Sequence, residues 1–172
     1  MIAGTSPIAQ GMLQEFEREL VTTRTFLKRL PEGKLAWRPH PKSMSAGQLA
    51  YHIAETPGMS LRFALLERGP APNFALREEA ATQSELLGLL DASAAYVRDT
   101  LPTVGDARMQ EMFAIDLPDG SVLELGRGRF LRSVMLNHWY HHRGQLGVYL
   151  RLLEVPVPSS YGPSGDEQAG GL

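Results

Sequence analysis

The sequence contains no cysteine and almost no net charge, and both absences exclude or disfavour particular classes of site and partner. Without cysteine, the 172-residue chain forms no disulfide, thiolate zinc site or cysteine nucleophile. Seventeen Lys and Arg against 19 Asp and Glu give a formal charge of −2, which argues against a nucleic-acid partner. No stretch approaches the roughly 18 unbroken apolar residues of a membrane helix. The first residues lack the pattern of a signal peptide, so we expect a cytoplasmic protein without membrane contact.

Length and apolar periodicity predict an all-α fold, a four-helix bundle, as one domain over residues 1–172. We expect its core between about 10 and 158 and a flexible tail, rich in turn formers, over about 163–172. Two segments carry apolar stripes at steps of three and four residues, and these predict the first and third helices. The stripes consist of Leu13, Phe16, Leu20, Thr23, Leu27 and Leu30, and of Leu86, Leu90, Ala94, Val97 and Leu101.

Two capping boxes mark helix starts. Ser45 and Gln48 precede a second helix that reaches Leu66, and Thr82 with Glu85 precedes the third helix. Pro57 lies in the middle of the second helix and predicts a kink or a break, because proline removes one helix hydrogen bond.

The connections are predicted from turn formers. Residues 69–72, with the sequence Gly-Pro-Ala-Pro, predict a loop. Apolar runs on either side of Pro118-Asp119-Gly120 predict a small β-hairpin between the third and fourth helices. The fourth helix is predicted from about Arg129 to Glu154, ahead of Pro156.

Three histidines are the candidate metal ligands. His138 and His142 are four positions apart on the fourth helix, so both imidazoles face the same way, and His52 on the second helix could supply a third nitrogen. At about 100° per residue, Gln145 and Tyr149 fall on the same strip. The alternative is that these are core histidines, hydrogen-bonded to backbone or carboxylate groups.

Neighbouring polar residues are candidates for supporting or catalytic roles. Glu55, one turn beyond His52, could orient that imidazole or accept a proton, or could simply be a solvated glutamate. Gln145 could hydrogen-bond a ligand, or could satisfy backbone groups. His141 is better placed at the rim, and His40, between two prolines, is expected at the surface. Five arginines between Arg127 and Arg151 leave open a local positive patch.

Several motifs together resemble the DinB/YfiT-like superfamily, the damage-inducible DinB-like proteins. The resemblance covers about Leu13 to Glu167. It is carried by Trp37-Arg38-Pro39, Gly47-Gln48-Leu49-Ala50-Tyr51-His52, Asn137-His138-Trp139-Tyr140-His141-His142-Arg143-Gly144-Gln145, Val157-Pro158 and Tyr161-Gly162-Pro163-Ser164. It implies a four-helix bundle of unusual right-handed connectivity and a homodimer. It also implies a divalent metal, nickel or zinc first and iron or manganese as alternatives, with His52, His138 and His142 as its ligands.

The resemblance leaves two functions in competition. The first is a metal-dependent enzyme acting on a small molecule, either a transferase or isomerase with a low-molecular-weight thiol cosubstrate, or a hydrolase. Within it, Arg143 could hold a carboxylate of the substrate, or could form a salt bridge inside the bundle or dimer. The second is a non-catalytic, stress-associated module in which the metal ties two helices together and the dimer surface carries the function.

Overall fold

The computed structural model describes residues 6–71 and 78–167, and this part of the chain is mostly helical. Its helices are α1 (Pro7–Arg29), α2 (Ala46–Ala64), α3 (Gln83–Thr100), the short α4 (Asp106–Gln110), α5 (Arg127–Phe130) and α6 (Trp139–Leu152). A π-helical segment, Leu131–His138, joins α5 directly to α6. We call residues 127–152 together the last helix. With α1, α2 and α3 it forms the four long helices that the sequence predicts. None of the helices within the described residues is both long and apolar enough to cross a membrane.

The first and third helices follow their predicted stripes. The stripe residues of α1 and α3 are buried, except Leu13, which is half-buried. Thr82 caps α3 as expected, since its hydroxyl accepts a hydrogen bond from the Glu85 backbone at 3.1 Å. The rest of that predicted capping box is wrong, because the Glu85 carboxylate accepts from the Ala81 N–H, one residue further upstream. The capping box at Ser45 and Gln48 is complete.

Helix α2 continues through Pro57 without the break that the sequence allowed. Proline has no N–H to offer the carbonyl four residues earlier, which is that of Ile53. The indole N–H of Trp139, on the last helix, donates to this carbonyl at 2.9 Å instead. A tertiary hydrogen bond therefore replaces the missing helical one and joins α2 to the last helix beside His52.

A three-stranded sheet forms between the helices, in the order β1–β2–β3. Its hairpin of β2 (Met112–Asp116) and β3 (Val122–Gly126) confirms the prediction, and Gly120 takes the positive φ of 84° in the turn. Strand β1 (Arg68–Pro70) runs parallel to β2, so the loop predicted over 69–72 is wrong in its first half. Proline is tolerated there because β1 lies at the sheet edge. Pro72 lies outside the described residues.

Side-chain hydrogen bonds connect the described part of the predicted tail to residues earlier in the chain. The predicted flexible segment begins at about 163, yet Ser164 donates to the Val157 carbonyl at 2.6 Å. Asp166 accepts from the Val157 N–H at 2.8 Å, and Glu167 binds Arg29 at 2.6 Å. Side-chain bonds thus connect residues 164–167 to Val157 and to α1, and the flexibility of the tail stays a prediction. Residues 168–172 lie outside the described part.

Candidate metal centre

Three histidine side chains meet where α2 faces the last helix. The Nε2 atom of His138 lies 3.0 Å from Nε2 of His52 and 3.1 Å from Nε2 of His142. One ligand atom from each of the three lies within 4.8 Å of the others. We call His52, His138 and His142 the histidine cluster. The structure thus brings together the three residues that the sequence singled out, although 86 residues separate His52 from His138.

The spacing of these nitrogens fits a shared divalent cation. Two nitrogens bound to one zinc at about 2.0 Å and at the tetrahedral angle would lie about 3.3 Å apart. The two measured separations, 3.0 and 3.1 Å, are close to that value. Three neutral nitrogens would leave a fourth position open to water or substrate, which distinguishes catalytic sites from closed structural ones.

A chain of hydrogen bonds sets the orientation of His142. Its Nδ1 lies 2.9 Å from Oε1 of Gln145. Because an amide oxygen only accepts, Nδ1 carries the proton and the lone pair of Nε2 points into the cluster. The Gln145 amide group donates to the Tyr149 hydroxyl at 3.5 Å, which donates to the Met44 carbonyl at 3.2 Å. Gln145 therefore orients His142, a role that the sequence analysis did not name.

The protonation state of His138 also suits the binding of a metal ion by its imidazole. Burial, with a smaller effect from the nearby His141, lowers the pKa of His138 below its ordinary value. The imidazole thus stays neutral to lower pH, and neutral imidazole is the metal-binding form.

Glu55 lies on the far side of His52 from the other histidines. Its Oε1 is 4.0 Å from Nδ1 of His52, beyond a hydrogen bond but close enough for electrostatic attraction. A carboxylate in this position favours a proton on Nδ1 and leaves the lone pair of Nε2 for the cluster. Burial, followed by the charge of Glu78, raises the pKa of Glu55.

The two remaining histidines lie away from the ligand positions. His141 is exposed, with its ring centroid 5.0 Å from that of His142, at the rim of the cluster as expected. His40 is exposed in a loop, where its Nδ1 accepts from the Lys42 backbone at 3.1 Å.

Arg143 packs toward α1, and this corrects its candidacy as a substrate-binding group. The side chain is 2% exposed and its guanidinium lies 2.5 Å from the Glu19 carboxylate. It also donates to the Glu19 carbonyl at 3.2 Å and to the Thr23 hydroxyl at 3.3 Å. We call Arg143, Glu19 and Thr23 the arginine cluster. These bonds serve the bundle, so the salt-bridge alternative describes Arg143.

Four of the five arginines that could have formed a positive patch have acidic partners within the described residues, Arg143 among them, and Arg129 is exposed. Arg127 is buried and donates to carbonyls at the end of α2 and to Glu67. Arg132 pairs with Glu15, and Arg151 pairs with Asp166.

A cavity of about 880 Å³ opens beside the histidine cluster. It lies between α2, the sheet and the first part of the last helix, and His52 and His138 form part of its wall. The other lining residues are mainly apolar, among them Met59, Phe63 and Ile115. The sequence did not predict this cavity. Its walls come from strands and helices far apart in the chain, and only their packing creates the space.

The π-helical segment that ends at His138 is a second feature the sequence missed. The fourth helix was predicted as an ordinary α-helix, but its residues 131–138 are π-helical. Such segments are rare and occur often at functional sites. Here the segment supplies Val134 and His138 to the cavity wall.

Comparison with known proteins gives one family. The sequence model of the DinB family matches residues 5–170. Among curated proteins, the uncharacterized protein YrdA of Bacillus subtilis (strain 168) is 26% identical over 161 residues, covering 91% of this chain and 90% of YrdA.

Solved structures show the same fold. A DinB-like protein from Bacillus cereus ATCC 10987 matches with a TM-score of 0.68 at 23% identity, over 88% of this chain and 97% of its own. YfiT from Bacillus subtilis, described as a probable metal-dependent hydrolase with an unusual four-helix bundle topology, matches with a TM-score of 0.61 at 18% identity. That match covers 85% of this chain and 87% of YfiT.

Proposed function

This chain belongs to the DinB family, and from that membership and the histidine cluster we propose that it is a divalent-metal-dependent hydrolase of a small molecule. The observation that carries the proposal is the convergence of three Nε2 atoms beside a cavity large enough for a small molecule. The description of YfiT as a probable metal-dependent hydrolase supports the reaction class.

Each residue of the site has a role in this proposal. His52, His138 and His142 would hold the cation, which we expect to be nickel or zinc, with iron or manganese as alternatives. The cation supplies Lewis-acid chemistry, lowering the pKa of the attacking nucleophile and stabilising negative charge that develops on the substrate. Gln145 accepts the Nδ1 proton of His142, and the Glu55 carboxylate favours an Nδ1 proton on His52 by electrostatic attraction. The apolar walls of the cavity exclude water.

A thiol-dependent transferase or isomerase ranks second. Low-molecular-weight thiols carry carboxylate, amine or sugar groups, which need polar partners when they leave water. Among the described residues, the polar side chains that line the cavity apart from the two histidines are Thr56 and Ser60, and neither carries a formal charge. This lining favours hydrolysis of a less polar substrate.

A non-catalytic, dimeric metal module ranks third. In that role the cation would tie α2 to the last helix, but the bond from Trp139 to Ile53 already joins them. Val148 and Leu152, one turn apart on α6, are exposed and could serve a homodimer. The homodimer, the cytoplasmic location and the lack of a nucleic-acid partner stay predictions from the sequence.

The first test is the metal content of untagged protein purified without added metal, beside His52→Ala and His138→Ala. About one equivalent in the parent and little in either variant supports the metal site. Loaded protein is then assayed on nitrophenyl esters and anilides, and on an electrophile with glutathione, bacillithiol or mycothiol. Hydrolysis without thiol supports the proposal, and turnover only with thiol replaces it with the transferase. Failure to take up metal on titration overturns both.

A further inference from the structure

The cavity beside the histidine cluster has an uneven distribution of polar groups. His52, His138 and Thr56 lie together at one side, since Thr56 is one helical turn from His52 and donates to its carbonyl at 2.5 Å. Most of the remaining described wall is hydrocarbon or aromatic, formed by side chains of α2, the sheet, the last helix and the segments that follow α2 and β2. These are Met59, Phe63, Leu66, Ile115, Leu117, Leu123, Phe130 and Val134.

Among the described side chains of this apolar part of the wall, only Ser60 carries a polar atom. Ser60 lines the cavity and is 1% exposed, and its hydroxyl has no hydrogen-bond partner among the described residues. A serine within a helix can usually bond back to a carbonyl of the preceding turn. An unsatisfied buried hydroxyl is unfavourable, so native structures contain few of them, and each calls for an explanation.

The position of Ser60 relates it to the metal site. His52, Thr56 and Ser60 are spaced by four residues along α2, so they follow one another on the same face. Eight residues of helix rise about 12 Å. Ser60 thus lies two turns from the ligand His52, along the wall of the same cavity.

We propose that this cavity binds an uncharged, mainly apolar small molecule with two polar points. The first polar group of the molecule would bind the cation at the histidine cluster. The second is a single atom, further along the molecule, that hydrogen-bonds to the Ser60 hydroxyl. This proposal rests on the proposed function for its first contact, and it adds the substrate class. Ser60 acts as a specificity-determining residue, because a ligand without that atom leaves the hydroxyl buried and unpaired.

Binding of n-alkyl hydroxamic acids to zinc-loaded protein tests the apolar part of the proposal. The hydroxamate group binds the metal while the tail occupies the cavity. Isothermal titration calorimetry from acetohydroxamic to octanohydroxamic acid should show Kd falling about fourfold for each added methylene. Equal affinity along the series would overturn the apolar class while leaving the metal site intact.

Moving an ether oxygen along the octyl tail tests Ser60. At one position, replacing a methylene by the oxygen should leave the affinity of the parent protein nearly unchanged. The same replacement should weaken binding to Ser60→Ala by about two- to tenfold more than binding to the parent. Ser93→Ala is the matched control, because Ser93 is a buried serine whose hydroxyl already accepts from the Gly58 N–H. It should behave as the parent does. If no position distinguishes Ser60→Ala from the parent, the specificity role is overturned.

Octan-1-ol and metal-free protein separate this proposal from the metal-dependent function. The cavity should bind the alcohol without any cation, and Ser60→Ala should not abolish this binding. Protein that takes up no metal yet binds octan-1-ol would refute the proposed function and preserve the apolar site. Protein that takes up metal and binds acetohydroxamic acid, but binds longer hydroxamic acids no more tightly, would preserve the metal site and refute the apolar substrate class.

Discussion

Two polar clusters, one buried and one half-buried, include neighbouring residues of the last helix, and their side chains are paired in different ways. In the arginine cluster, the charge of Arg143 meets the Glu19 carboxylate at 2.5 Å and further oxygens of α1. In the histidine cluster, three imidazoles turn their Nε2 atoms toward one another, and the nearest carboxylate in the site, Glu55, lies on the Nδ1 side of His52. His142 and Arg143 are consecutive residues, yet one faces α2 and the other α1.

The difference separates a structural polar group from a functional one. A buried cation with its own carboxylate is complete within the chain and needs nothing from outside. Converging imidazole nitrogens offer lone pairs to a cation that the chain does not itself contain. Five variants or conditions test this comparison, in order of decreasing effect.

Removing Arg143 should have the largest effect on stability. Arg143→Ala leaves the mostly buried Glu19 without its cation, and we expect a loss of about 3–5 kcal/mol in the free energy of unfolding by urea. Arg132→Ala is the matched control, since it breaks an ion pair with Glu15 that is partly exposed, and about 0–1 kcal/mol should be lost. Equal losses in the two variants would contradict the distinction between the clusters.

Removing a histidine should reverse the pattern, with metal affinity affected more than stability. His142→Ala and His138→Ala each delete one of three ligands, and zinc affinity by calorimetry should fall by about 100-fold or more. His141→Ala, from the exposed rim of the same sequence block, should keep the parent affinity. Loss of metal binding in His141→Ala as well would contradict the assigned ligand set.

Gln145 should matter through its hydrogen bond to His142. Gln145→Leu removes the acceptor for Nδ1, and zinc affinity should fall by about 10- to 100-fold. Gln145→Glu retains an acceptor oxygen and should retain most of the affinity. If both variants bind zinc as the parent does, Gln145 does not position the ligand.

Trp139, between the two clusters, should contribute to stability independently of metal. Trp139→Phe leaves the Ile53 carbonyl without its donor and should cost about 1–3 kcal/mol. In a Pro57→Ala background, the new backbone N–H can reach that carbonyl, so the same substitution should cost less. Equal costs in the two backgrounds would show that the indole acts only through packing.

The smallest effect concerns the exposed ion pair between Arg98 and Glu17. Glu17 lies on α1, as does Glu19, the partner of Arg143. The hydrogen bond from Arg98, opposed by partial burial, lowers the pKa of Glu17. A carboxyl whose pKa is lower in the folded state contributes stability above its unfolded pKa, near 4.5, and loses it as pH falls through the folded pKa. Arg98→Met should therefore flatten the stability curve slightly at acid pH, measured by urea unfolding. A stability curve parallel to that of the parent would contradict this.

Local patterns predicted much of the fold. The stripes of α1 and α3, the complete capping box at Ser45 and the hairpin around Gly120 depend on neighbours within a few residues. The predictions failed where a distant partner decides. Strand β1 exists because β2 pairs with it, and α2 survives Pro57 because Trp139 supplies the missing donor.

The sequence by itself predicted the long helices, the absence of cysteine chemistry and the identity of the three clustered histidines, because periodicity and residue chemistry are local properties. Only the tertiary structure decided that His142 faces α2 while Arg143 faces α1, since the packing of the last helix sets which residue meets which neighbour. The tertiary structure also forms the cavity, and it leaves the Ser60 hydroxyl without a hydrogen-bond partner among the described residues. A space between elements belongs to no segment of the chain, so no local pattern encodes it.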